Sequence, residues 1–211
     1  IAMDLRNHGA SPHAAGMDYA AQASDVAETM AAIGIGRAIV LGHSMGGKAS
    51  MMATLTRPDL IRKLIVADIA PVTYSHTQMM YIDAMRGIDL SNLERRSQAE
   101  AALRAVIDDP ILPSFFTQSL DLKAKRWKLN LDTLAQEMQA ILSFPEVTGH
   151  FTGPTLFLTG ATSSYVLPEH RERIKALFPK AKFAKIPGAG HWLHAEKPAE
   201  FEAAVRHFLA A

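Results

Sequence analysis

The fold is decided at residues 38–47, which read AIVLGHSMGG. The apolar residues that open this stretch are rich in β-branching and predict a buried strand, and residues 48–55 favour a helix. Gly42, Ser44 and Gly46 match the pattern Gly-x-Ser-x-Gly, which holds a serine on a tight strand-to-helix turn with its Oγ exposed. We expect both glycines to let neighbouring backbone approach without a Cβ clash. The stretch therefore predicts a nucleophilic serine.

The same turn predicts an oxyanion donor. N–H groups in the first turn of a helix have no acceptor within that helix, and Met45 would supply one of them. Such a donor can stabilise the negative oxygen that forms when a serine attacks a carbonyl carbon. We therefore expect the N–H of Met45 to form part of an oxyanion hole.

The composition is that of a globular protein large enough for one domain with an insertion. The chain has 211 residues, of which 48% are hydrophobic and 20% charged. A formal charge of +1 argues against nucleic acid or a membrane surface as the main partner. Cysteine is absent, which excludes disulfides and thiol chemistry and favours a reducing, cytoplasmic location. No apolar run is long enough to span a bilayer.

Helix and strand signals alternate in residues 1–70 and 150–211. Strands are predicted at residues 37–41, 63–69, 154–160 and 182–186. The accompanying helices are predicted at residues 19–33, 48–55, 168–178 and 198–209. This alternation indicates an α/β core, a mostly parallel sheet flanked by helices.

The intervening segment, residues 71–149, carries no strand signal and predicts a helical cap insertion over the carboxyl edge of the sheet. Most of its apolar side chains are expected to form the core of the cap itself. Others are expected to line an adaptable apolar pocket for the substrate, with Phe115 and Trp127 as candidates.

A nucleophilic serine needs a base within hydrogen-bonding reach. His191 is the favoured base among nine histidines, because it follows a glycine-rich loop after the last strand. His194 competes and is interpreted as a structural hydrogen-bonding residue; a metal site on these two histidines would lack a third ligand. Further substrate contacts near the base are expected from His43, Tyr165 and Trp192, with His43 alternatively propping the turn.

Two positions compete for the carboxylate that orients the base. After the strand at 154–160 the chain has no carboxylate until Glu169. Asp68 ends the strand that follows the serine's helix, 24 residues after Ser44. Because it would lie at the carboxyl edge of the adjacent strand, it can reach the same imidazole. We predict Asp68 as the acid, with helix or loop capping as its alternative role.

Four blocks of sequence together resemble the small α/β-hydrolase esterases of the YbfF type. They are residues 4–12, 42–48, 68–72 and 188–198. The resemblance runs nearly end to end. It implies the α/β-hydrolase fold, hydrolysis of small or acyl-chain carboxylic esters with thioesters left open, and no cofactor. Ser44, Asp68 and His191 would be nucleophile, acid and base.

The resemblance also implies sheet strands and a His-Gly loop ahead of Ile1, the loop supplying a second oxyanion donor. Ile1 lies in what is predicted to be the end of a strand, so we expect a fragment that lacks the N-terminal strands. A second copy of the chain or a separate N-terminal fragment would cover the exposed sheet edge.

Two alternatives to the esterase stay open. One is a C–C bond hydrolase or perhydrolase that uses the same triad. The other is a catalytically impaired, ligand-binding α/β-hydrolase, because loss of one oxyanion donor typically lowers turnover by about 10²–10³.

Overall fold

The computed structural model describes every residue of the chain, Ile1–Ala211. Its elements are α1 (Tyr19–Ala32), β1 (Ala38–His43), α2 (Met45–Thr56), β2 (Ile61–Ala67), α3 (Met79–Arg86), α4 (Arg96–Arg104), α5 (Leu112–Thr117), β3 (Leu120–Asp121), β4 (Arg126–Trp127), α6 (Leu131–Gln136), α7 (Met138–Leu142), β5 (Thr155–Gly160), α8 (His170–Leu177), β6 (Ala181–Ile186), α9 (Leu193–Glu196) and α10 (Pro198–Ala210). All four predicted strands are confirmed, with bounds displaced by two residues or fewer.

The chain divides into two compact units. One comprises Ile1–Asp18 with Tyr74–Leu142, and the other comprises Tyr19–Thr73 with Ser143–Ala211. The prediction assigned residues 1–70 to the core, whereas here the first eighteen residues cluster with the helical segment. We refer to the two units as the helical unit and the sheet unit.

The sheet unit contains a four-stranded sheet in the order β1-β2-β5-β6, with every neighbouring pair parallel. Every residue of β5 is buried, and its apolar sequence is typical of a central parallel strand. The side chains of Ile65, Leu158 and Ile186 pack with Phe208 of α10 in the core on one side of the sheet. This confirms the predicted α/β architecture.

The two edges of the sheet differ in character. β6 carries exposed Lys182 and Lys185, and such charges discourage pairing with a further strand. β1 instead exposes 41% of Ile39 and 44% of Leu41. β1 is therefore an edge strand with exposed apolar side chains, and coverage of this edge by a second copy of the chain or a separate N-terminal fragment stays a prediction.

The helical unit contains α3 to α7 and one short antiparallel pair, β3 with β4. This pair, with Leu120 opposite Trp127, was not predicted, because two-residue strands are too short to show periodicity. No helix in the chain is both long and apolar enough to cross a bilayer.

The opening residues form a loop. The prediction that Ile1 lies at the end of a strand is wrong. The Asp4 carboxylate accepts the N–H of Ala10, and its carbonyl accepts the Ser11 hydroxyl at 2.6 Å, so the segment bonds to itself. Buried Asn7 then binds the start of α6. Its side-chain oxygen accepts the Asn130 amide at 3.0 Å and its carbonyl accepts the Asn130 N–H at 2.9 Å. These bonds explain why the segment belongs to the helical unit.

We call the turn between β1 and α2 the elbow (residues 42–46). Its first glycine, Gly42, is tightly packed, whereas Gly46 is not. A Cβ at Gly42 would fall on the carbonyl oxygen of Gly46 and 2.5 Å from the Ser50 Oγ. A Cβ at Gly47 would lie 2.6 Å from the Ile69 side chain. A Cβ at Gly46 would meet nothing within 4 Å. The close approach predicted for Gly42 is confirmed, whereas the one predicted for Gly46 is wrong and occurs at Gly47 instead.

Lys48 lies in the interior of the sheet unit, with 1% of its surface exposed. Its Nζ donates to the carbonyl oxygen of Ser143 at 2.6 Å and lies 5.6 Å from the ring centroid of Tyr19. Burial lowers the pKa of Lys48 from 10.5 to about 7, because an ammonium group is poorly solvated there.

Substitution of each elbow glycine by alanine tests whether close packing around that glycine contributes to the free energy of unfolding. G42A should lower the free energy of unfolding by roughly 1–3 kcal/mol, because the new methyl group overpacks the turn. G46A should change it by about 0.5 kcal/mol or less, because its methyl group points into open space. Urea denaturation followed by circular dichroism measures both, and equal losses in the two variants would contradict the packing explanation.

Lys48 predicts a pH-dependent stability. Between about pH 7 and pH 10.5 the unfolded chain keeps the Lys48 proton while the folded chain releases it. Stability should therefore rise with pH across this window, by at most about 1.4 kcal/mol per pH unit from this group. Denaturant unfolding at several pH values is expected to show a shallower rise for K48M. Parallel curves for K48M and wild type would show that Lys48 titrates normally.

Candidate active site

Ser44 and Asp68 leave the sheet side by side. His43 and Ala67, the last residues of β1 and β2, are partners in the parallel register. The next residue of each strand therefore emerges at the same carboxyl edge. Backbone hydrogen bonds fix both, since the Ser44 N–H donates to Ala67 at 3.0 Å and the Asp68 N–H donates to Leu158 at 2.9 Å.

Both residues have left-handed backbone conformations. The φ angle is 52° at Ser44 and 50° at Asp68. Such angles cost of the order of 1–3 kcal/mol outside glycine, and they persist only where the surrounding structure enforces them. Here the two sharp turns begin where each strand ends. The two positions that the sequence marks as functional are thus among the four non-glycine residues with a positive φ angle, the others being Asn7 and Lys125.

His191 connects these two side chains. Its Nδ1 lies 2.8 Å from Oδ2 of Asp68, and its Nε2 lies 3.1 Å from Oγ of Ser44. Asp68 has no exposed surface. Because an ionised carboxylate only accepts hydrogen bonds, Nδ1 carries the proton, which leaves the Nε2 lone pair for the Ser44 hydroxyl. The structure therefore brings the three predicted residues into one hydrogen-bonded chain.

The loop after β5 supports Asp68. The N–H of Gly160 donates to Oδ1 at 3.1 Å, and the hydroxyl of Ser163 donates to Oδ2. This loop precedes Glu169, the competing acid, which is exposed and directly precedes α8. The loop supplies donors in place of a carboxylate. The role of Ser163 was not predicted from the sequence, although its hydroxyl lies in the loop where an acid was sought.

Aromatic rings surround the His191 imidazole. The Tyr165 ring stacks on it, with centroids 3.9 Å apart and an interplanar angle of 20°. Trp192 approaches at 5.4 Å nearly edge-on, and the His43 ring lies 4.7 Å away. The three residues predicted as substrate contacts in this unit therefore all adjoin the imidazole.

His43 bonds to the backbone of the base. Its Nε2–H donates to the carbonyl oxygen of His191 at 2.8 Å. Burial, followed by the charge of the neighbouring His191, lowers the pKa of His43 to about 4. The ring is thus neutral near pH 7, with its proton on Nε2.

His194 packs by ring contacts. It lies 4.7 Å from the His43 ring and 6.0 Å from the Phe201 ring. Its Nδ1 is buried without a hydrogen-bond partner, so the interpretation of His194 as a structural hydrogen-bonding residue is wrong at this atom. The chain contains no group of three or more His, Asp or Glu side chains arranged to hold a metal ion.

Met45 begins α2 directly after Ser44. Its N–H belongs to the first turn, where helical N–H groups have no acceptor within the helix and the helix dipole is positive. This placement suits the predicted oxyanion donor.

Phe115 and Trp127 belong to the helical unit. Trp127 is buried, and its indole N–H donates to the carbonyl oxygen of Met85 at 3.0 Å. Phe115 is 40% exposed, with its ring 5.9 Å from that of Phe116. Trp127 thus has a packing role within its unit, and the substrate contacts of both residues stay predictions.

The chain is similar throughout its length to proteins named esterases and lipases. It is 38% identical to the sn-1-specific diacylglycerol lipase ABHD11 of Mus musculus, over 100% of this chain and 71% of that protein. It is 36% identical to the esterase YbfF of Escherichia coli (strain K12), over 99% of this chain and 82% of that protein. The solved structure of a marine microorganism esterase superimposes with a TM-score of 0.92 and 38% identity, covering 97% of this chain and 82% of that one. A model of the alpha/beta hydrolase family matches residues 1–204, and the chain belongs to this family.

Proposed function

We propose that the chain is a serine carboxylesterase that forms an acyl-enzyme on Ser44. The observation that carries this proposal is the continuous hydrogen-bonded chain from the Ser44 hydroxyl through His191 to Asp68, with links of 3.1 Å and 2.8 Å. Relatives named esterase or lipase at 36% and 38% identity support the same reaction class.

Acylation begins with attack of the Ser44 Oγ on the ester carbonyl carbon. His191 Nε2 takes the hydroxyl proton, and Asp68 stabilises the resulting imidazolium through the Nδ1–H. The N–H of Met45 donates to the oxyanion of the tetrahedral intermediate. When the bond to the alcohol oxygen breaks, Nε2 returns the proton to the leaving alkoxide.

Deacylation repeats these steps with water. His191 Nε2 removes a proton from a water molecule, whose oxygen attacks the acyl carbon attached to Ser44. Collapse of the second tetrahedral intermediate breaks the bond to the Ser44 Oγ, which regains a proton from Nε2. The carboxylic acid leaves and the enzyme returns to its starting state without a cofactor.

The substrate class is inferred from the relatives and from the surroundings of the imidazole. The mouse, zebrafish and Xenopus tropicalis relatives are named diacylglycerol lipases, at 38%, 36% and 36% identity. Tyr165 and Trp192 place aromatic surface beside the reacting imidazole. We therefore propose acyl-chain esters of small alcohols as the substrate class.

Replacing each of the two competing acids by its amide tests this proposal. Wild type should hydrolyse p-nitrophenyl esters, and D68N should lower kcat by roughly 10⁴, because a carboxamide in place of the carboxylate favours the wrong imidazole tautomer. The matched control E169Q, which removes the exposed competing carboxylate, should keep kcat within about twofold of wild type.

A large loss of kcat in E169Q with little loss in D68N would show that Glu169 is the acid. A wild-type chain that binds esters without hydrolysing them would contradict the esterase and favour the ligand-binding alternative. Turnover of vinylogous diketones or of peroxide with a carboxylic acid, in place of p-nitrophenyl esters, would favour the C–C hydrolase or the perhydrolase.

A further inference from the structure

The loop that carries the base, residues 187–192, has its backbone bound by side chains from outside it. Glu196 accepts the N–H of Gly190 at 2.7 Å and the N–H of Trp192 at 3.1 Å. His43 donates to the carbonyl oxygen of His191 at 2.8 Å. The peptide group that follows the base is therefore held at its carbonyl by His43 and at its N–H by Glu196, and Glu196 also holds the N–H of Gly190.

His43 is also the residue directly before the nucleophile. It ends β1, whose register with β2 fixes where the chain turns at Ser44. Its ring bonds to the carbonyl of His191, a residue 148 positions later in the sequence. One side chain therefore couples the backbone of the nucleophile to the backbone of the base.

We infer that His43 and Glu196 are positioning residues, which fix the backbone of His191 so that its Nε2 stays aligned with the Ser44 hydroxyl. This inference rests on the proposed function for its kinetic consequence. It also replaces the substrate-binding role predicted for His43, because the donor atom of that ring is already used by the His191 carbonyl.

Charge supports the same role. A protonated His43 would place a second positive charge 4.7 Å from the His191 ring and oppose formation of the imidazolium. Burial and the His191 charge keep the pKa of His43 low, so the ring donates its hydrogen bond as a neutral group. His43 thus orients the base without competing for its proton.

Three titratable residues near His43 affect its pKa. His191, His194 and Asp68 act on its charge, the first two disfavouring protonation and Asp68 favouring it. Trp192 contributes an uncharged ring at 5.3 Å. Above about pH 4 His43 is therefore expected to be neutral, with its Nε2–H donating to the His191 carbonyl.

A pair of variants tests whether the hydrogen bond or merely the bulk of His43 matters. H43L removes the donor and should lower kcat about 10- to 100-fold with KM within about threefold, since a misplacement near 1 Å can cost about 10²-fold. H43Q places an amide donor near the position of Nε2 and should recover most of that loss. The matched control H194L, at a ring that packs on His43 and Trp192 and has no hydrogen bond at its Nδ1, should stay within about threefold of wild-type kcat.

Glu196 provides an independent variant of the same loop. E196Q keeps the size of the side chain but can accept only one of the two N–H groups well, because its amide nitrogen is a donor. It should therefore also lower kcat by about 10-fold, with little change in KM.

A rise in KM with unchanged kcat in H43L would instead assign His43 to substrate binding and overturn the inference.

Hydrogen exchange separates this inference from the esterase assignment. The Gly190 and Trp192 amides should exchange more slowly in wild type and H43Q than in H43L and E196Q, whether or not esters are hydrolysed. If exchange follows this order while no ester is hydrolysed, the proposed function fails and the positioning role stands. If H43L and E196Q keep wild-type exchange and wild-type kcat, the positioning role is wrong.

Discussion

A carboxylate without solvent contact has to be satisfied by protein donors, and the buried Asp68 carboxylate imposes this requirement on the sheet unit. Its donors come from the loop after β5, through Gly160 and Ser163, and from the loop after β6, through His191. Asp68 itself follows β2, and Ser44 after β1 completes the chain. The ends of all four parallel strands are therefore linked through one buried charge.

The parallel register converts this linkage into a reactive geometry. Because His43 and Ala67 are paired, the nucleophile and the acid emerge next to each other, both with left-handed φ angles. The base arrives from the far edge of the sheet on a loop held by His43 and Glu196. Local strain at the strand ends and remote hydrogen bonds on the loop together determine where the imidazole lies.

Much of this arrangement could be predicted, because the features concerned leave a pattern in sequence. A Gly-x-Ser-x-Gly run between an apolar strand and a helix indicates the elbow, and a carboxylate that ends the neighbouring apolar strand indicates Asp68. Ser163 leaves no such pattern, since its role depends on a contact across 95 residues. The same holds for Asn7, which bonds to Asn130 and places the opening loop in the helical unit. Gly46 satisfies the motif but not the packing expected of it, because motif spacing does not reveal what surrounds each glycine.

Covalent labelling by an organophosphonate ester tests most directly whether Ser44 is activated by His191 and Asp68. The probe reacts only with a serine whose proton can be removed, so peptide mass spectrometry is expected to place the adduct on Ser44 in wild type and to find none in S44A. Labelling should also slow strongly in D68N. An unlabelled wild-type chain, or an adduct on another residue, would contradict the account.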